Sequence, residues 1–275
     1  MLKSSIRSRA ITALCTAHAR AHPGVDLDEK GYAPDWRRNL LPAVCANDVA
    51  QELSEGSGQE LATKFRAAHS SSALAVNVFA PFKRAPEVLH ILDRAGFTQV
   101  AFEKKCPTGL GGTPPNLDVI LEAPDGLIAI ESKCLEYLTP KTAKFADSYR
   151  SDLPASRRES RWFAEMLRLC DDPKRYRHLD AAQLVKHALG LAHSYPDRTV
   201  TLLYLFWEPA NAAEVEVFAQ HRAEIDRFAE AATGDRIAFR AMSYPELWAD
   251  WTKLRAPQWL TVHIESLQRR YFVAL

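Results

Sequence analysis

Between residues 116 and 133 the chain places charge where an apolar strand pair should have none. Asn116-Leu117-Asp118-Val119-Ile120-Leu121 and Ile128-Ala129-Ile130-Glu131-Ser132-Lys133 flank the turn-forming Pro124-Asp125-Gly126. Their branched apolar residues and the turn between them predict a β-hairpin. A buried charge without a partner is costly, so Asp118, Glu131 and Lys133 need each other or a ligand. Glu131 and Lys133, two residues apart, share a strand face. Asp118 depends on the register. A Pro124-Asp125 loop sets it opposite Glu131, and an Asp125-Gly126 loop sets it opposite Lys133. A three-residue loop sends it to the other face.

Around this hairpin the period alternates between helix and strand. Helical spacing covers residues 4–21, stopped by Pro23-Gly24, and 48–68, interrupted by Gly56-Ser57-Gly58. It returns at 87–95, 180–193, 214–232 and 257–271, whereas 99–104, 117–123, 127–134, 200–207 and 236–242 have strand character. Residues 136–178 are polar and have no clear period. That order predicts an α/β fold, a mixed sheet with helices on its faces. We divide it into an N-terminal helical extension (1–55), a core (56–250) and a C-terminal helix (251–275).

Two carboxylates beside an ammonium make an oxygen-ligand site for a hard cation such as Mg²⁺. A cation there offsets the carboxylates' repulsion, stabilises charge on a phosphoryl group and acidifies water. The lysine can orient that water, or accept its proton if burial has lowered its own pKa. No activated Ser or Cys nucleophile stands out, so phosphodiester hydrolysis fits better than acyl chemistry. His18 and His22, one helical turn apart, lack an intervening glutamate or third ligand and are read as packed side chains.

Net charge says little, because 35 Lys and Arg against 34 Asp and Glu leave +1. A nucleic-acid partner therefore needs a local basic surface. Lys141, Lys144, Arg157, Arg158, Arg161 and Arg175 are the candidates for DNA contact, with Trp162, Phe163 and Tyr176 interleaved as candidate stacking rings. Five cysteines without a Cys-x-x-Cys pair point to a reducing compartment, and the cytoplasm is the expectation. No apolar run approaches the roughly 20 residues that span a bilayer.

Asp118 followed by Glu131-Ser132-Lys133 in a hairpin resembles the signature of the PD-(D/E)XK nuclease superfamily, the restriction-endonuclease-like fold. Ser71-Ser72-Ala73-Leu74-Ala75-Val76-Asn77 and the stretch from Lys105-Cys106-Pro107-Thr108 through Asn116-Leu117-Asp118 are similar to a bacterial family of restriction endonucleases. The likeness covers residues 55–250, with an acidic helix, then the hairpin, then a helix bearing Gln183. It implies that Asp118 and Glu131 ligate Mg²⁺, with Mn²⁺ as a substitute, together with the backbone carbonyl of Ser132. It assigns Lys133 to the water, Glu60 to the acidic position of the preceding helix and Gln183 to the helical glutamine near the site. It also implies a DNA endonuclease, and a homodimer is in keeping with relatives that cut both strands. A non-catalytic binding module of this fold, or a nuclease for RNA or for single-stranded or branched DNA, are the alternatives. Two positions depart from the pattern. His187 stands where exonuclease-type relatives often carry tyrosine, and Pro115 lies three residues before Asp118 instead of next to it.

Overall fold

A computed structural model of the chain describes residues 5–55 and 61–275. Its centre is a five-stranded sheet in the order β1 (Gln99–Lys105), β2 (Asn116–Ala123), β3 (Gly126–Lys133), β4 (Val200–Phe206) and β5 (Ile237–Ser243). Strands β1 to β3 form an antiparallel meander, while β3, β4 and β5 run parallel. The continuous apolar runs of β3 and β4 follow from this position, because central strands are covered on both faces. Every residue of β3 except Lys133 is buried.

The helices are α1 (Ile6–Ala21), α2 (Ala50–Glu55), α3 (Ser71–Phe79), the short α4 (Ser148–Ser151) and α5 (Ala155–Arg158), α6 (Arg161–Asp171), α7 (Ala181–Ser194), α8 (Glu216–Ala232), α9 (Tyr244–Lys253) and α10 (Gln258–Tyr271). They form two layers with separate apolar cores. On one face Val119, Leu121, Ile128, Ile130 and Leu203 pack with residues of α1, α3, α9 and α10. On the other Ile120, Leu127, Ala129 and Leu202 pack with α6, α7 and α8. The result is the expected α/β architecture, a sheet sandwiched between helices. Arg270 of α10 locks the first layer from inside. Fully buried, it donates to the carbonyls of Leu14 and Ala68 and to Oδ1 of Asn39, joining α10 to α1 and to the loops before α3.

One predicted helix is not formed, and a second is formed in its first part only. Residues 87–95 hold a single 3₁₀ turn, Pro86–Val88, and then a tight reversal pairing Ile91 with Arg94. Leu92 and Asp93 take φ of 52° and 59°, the two positive values such a turn needs. Leu89 and Ile91 are buried as the stripe implied, yet the His90 carbonyl accepts from Trp251 Nε1 instead of a helical N–H. Over 48–68 the described helix is α2, Ala50–Glu55, and Lys64–Arg66 is only a 3₁₀ turn. Asn39 Nδ2 takes the carbonyls of Phe65 and Ala67, which a continuing helix would have used. In both places tertiary hydrogen bonds override a local pattern. Among the described residues no helix is long and apolar enough to cross a membrane.

Candidate active site

The hairpin closes with Ala123 paired to Gly126, so Pro124-Asp125 is the loop and the other two registers are excluded. Long-range contacts make that choice. A Cβ on residue 126 would lie 2.4 Å from the Thr199 carbonyl, so only glycine lets the residue that leads into β4 approach. Arg198 then donates to the carbonyls of both Ala123 and Gly126. Counting from this closure sets Asp118 opposite Glu131.

The β2–β3 ladder ends one pair earlier, at Val119 and Ile130. Beyond it the Ser132 N–H donates 2.7 Å to Asp118 Oδ2, a carboxylate where a strand carbonyl would otherwise accept. Glu131 and Lys133 project toward α7. Lys133 Nζ donates to Glu131 Oε1 and, over 2.9 Å, to Gln183 Oε1. His187 Nε2 lies 2.8 Å from Glu131 Oε2, at an angle off a head-on hydrogen bond. The Ser132 side chain faces the other layer, 2.6 Å from the Tyr244 hydroxyl. Asp118, Glu131, Lys133 and Gln183 thus meet at one end of the sheet. Glu60 lies outside the described residues.

Glu103 of β1 joins this group. It falls between the pairs Phe102–Val119 and Lys104–Leu117, opposite Asp118, and accepts from Asn116 Nδ2. Its φ of 53° is a left-handed conformation that non-glycine residues adopt at a cost, usually near a site. Nothing in its residue type announces that conformation.

Electrostatics follow from the crowding. Burial, and next the charge of Glu131, raise the Asp118 carboxyl well above its usual range. Burial also opposes charge on Glu131, but Lys133 and His187 outweigh it and hold this carboxyl low. For Lys133 burial favours the neutral amine, yet Glu131, Glu136 and Asp118 more than offset it and raise the pKa. Lys133 is therefore an ammonium at neutral pH, which favours orienting water over accepting its proton. No group of three or more His, Cys, Asp or Glu among the described residues forms a ready metal cage. Two carboxylates near a backbone carbonyl still suit Mg²⁺, which keeps several waters and commonly uses one or two carboxylates. Burial first and the charge of Glu131 second raise Asp118, and a cation beside both carboxylates would offset the second of these.

A family of restriction endonucleases associating with ARP has a sequence model that matches residues 12–272. The chain belongs to that family. No curated protein and no solved structure matches it. The family's span takes in the whole sheet and the helices from the middle of α1 to the end of α10, so the α/β core is restriction-endonuclease-like.

The predicted DNA-contact residues are divided in what they do. Arg157 donates to the Thr108 carbonyl, Arg158 to those of Ser151 and Leu153, and Arg175 to Glu165. Lys141 stands 3.6 Å from Asp180. Lys144 and Arg161 are exposed. The stacking rings are not available, because Trp162, Phe163 and Tyr176 are buried in the second core layer. Trp162 even spends its indole N–H on the Ile237 carbonyl. Their spacing reported a core, since basic residues on the outer side of the same short helices gave the segment its polar look.

Asp118→Asn is expected to stabilise the protein by about 1 kcal/mol in EDTA, a gain typical of removing a strained active-site group. The amide oxygen can still accept from Ser132, while the like charge facing Glu131 is gone. The sign follows from the raised carboxyl. Its stabilising contribution is complete below the unfolded pKa of 3.8 and is lost as pH rises through the folded value. The gain in Asp118→Asn should therefore be present at pH 7 and vanish in acid. Urea denaturation at both pH values checks this, and a destabilised variant at pH 7 would contradict it.

Proposed function

We propose that this protein is a Mg²⁺-dependent deoxyribonuclease, an endonuclease of the restriction type. The observation that carries the reading is the meeting of Asp118, Glu131 and Lys133 beyond the last β2–β3 pair, backed by Gln183. Membership of a restriction-endonuclease family supports the same reaction class. In this reading Asp118, Glu131 and the Ser132 carbonyl would hold the ion, with Mn²⁺ as a substitute. When bound, the ion supplies charge stabilisation for the phosphoryl group and lowers the pKa of water.

The chain's own residues do the rest. Gln183 and Glu131 aim the Lys133 ammonium, which orients the attacking water and donates to a phosphate oxygen as charge builds there. Glu103 adds negative charge beside Asp118 and favours a cation between the strands. Glu60 enters the proposal on the sequence resemblance alone. In this reading the exposed Lys144, in the segment after β3, contacts the DNA backbone, while Arg161 is tied through its backbone N–H to Asp235 before β5, at the other end of the sheet. The family's description, association with ARP, makes a companion protein part of this reading.

Closed circular DNA separates the alternatives, because it has no ends for an exonuclease to enter. Incubation of supercoiled plasmid, linear duplex, single-stranded DNA and RNA with Mg²⁺ should yield nicked and linear plasmid fastest. Degradation of RNA or single strands with the plasmid left intact would overturn the duplex endonuclease reading. Tight duplex binding with no cleavage of any substrate would favour the non-catalytic module.

A further inference from the structure

Helix α7 meets strand β3 in matched steps. Four residues of helix rise about 6 Å and two residues of strand about 6.6 Å, so side chains spaced 4 apart on one can meet those spaced 2 apart on the other. Gln183 and His187 stand in this relation to Lys133 and Glu131. The contacts follow the match, Gln183 with Lys133 at 2.9 Å and His187 with Glu131 at 2.8 Å. Glu131 thereby has a neighbour at each oxygen, the lysine hydrogen-bonded to Oε1 and the histidine ring close against Oε2, off the hydrogen-bonding line.

His187 is 1% exposed in a helix stripe otherwise made of Leu184, Val185, Ala188 and Leu191. An apolar side chain would fill that space without the cost of burying a polar ring. Among the described residues its Nε2 approaches Glu131, and neither ring nitrogen makes an aligned hydrogen bond. The ring's polarity therefore finds its use toward Glu131.

We propose that His187 is a positioning residue, holding Oε2 of Glu131 so that the carboxylate meets a divalent cation without first reorienting. The inference rests on the metal-dependent reading given above. Groups that hold a ligating carboxylate from outside the metal shell typically cost about 10–100-fold in metal affinity or activity when removed.

The test is calorimetric titration of Mn²⁺ into the full chain without nucleic acid, for wild type, His187→Leu and His187→Gln. Leucine fills the volume without an N–H, and glutamine restores a donor. We expect His187→Leu to weaken Mn²⁺ binding about 10–100-fold and His187→Gln to recover most of the loss. In cleavage, the Mg²⁺ concentration giving half the maximal rate should rise in His187→Leu, while duplex affinity in EDTA stays unchanged. Wild-type Mn²⁺ affinity in a folded His187→Leu protein would overturn the positioning role and leave the metal site standing. No Mn²⁺ binding by the wild type would overturn the metal reading and His187's role with it. His187→Met makes the same comparison if the leucine variant does not fold.

Discussion

Acidification should unfold this protein between pH 6 and about 4.5, steeply and with uptake of about three protons. Burial, helped by nearby positive groups, holds His18 and His221 down at about 3, and burial holds His263 down at about 4. Each is 1% exposed or less, so each is a neutral ring packed in a core. His22, held at about 4 and partly exposed, adds a smaller share.

The sign is that of a depressed pKa. Above the unfolded value of 6.5 the stability from these rings is complete, and it is lost as pH falls toward the folded values. Three such groups give a slope of about 4 kcal/mol per pH unit where only the unfolded chain is protonated. Against a typical stability of about 5–15 kcal/mol, a fall of two pH units is enough. Asp118 works in the opposite direction, but it is one group. Urea unfolding from pH 7 to 5 measures the slope directly. A stability that stays level over that range would mean that these rings are hydrated or charged in the folded protein.

The candidate site was legible in part, for physical reasons that differ by residue. Glu131 and Lys133 share a face because a strand alternates, and Gln183 came from the family resemblance, on a helix that the apolar spacing did predict. The register of Asp118 was not legible, because Thr199 and Arg198 decide it from across the sheet. Glu103 was undecidable for a similar reason, since its placement depends on a left-handed backbone that glutamate does not advertise. The buried residues of 87–95 were read correctly as apolar and wrongly as helical. Leu89 and Ile91 are core, but Trp251 bids for the backbone there. Aromatic residues in the basic segment misled in the other direction, because Trp162 and Tyr176 belong to the core under α7 and α8.

Lys133→Ala should lower cleavage about 10²–10⁴-fold, the range expected when a positioned proton-transfer or charge-stabilising side chain is lost. The side chain is 12% exposed and its ammonium bridges Glu131 to Gln183. The truncation also takes the lysine away from the buried Glu131, so circular dichroism must first show that the variant is folded. Lys133→Arg keeps the charge but replaces a compact ammonium with a planar fork, and it should rescue little.

The measurement that bears most directly on the whole account is cleavage of supercoiled plasmid by wild type and folded Lys133→Ala, each with Mg²⁺, Mn²⁺ or EDTA. The account predicts nicked and linear DNA from the wild type with either metal, none in EDTA, and none from Lys133→Ala over the same time. Cleavage that persists in Lys133→Ala, or that continues in EDTA, would contradict it.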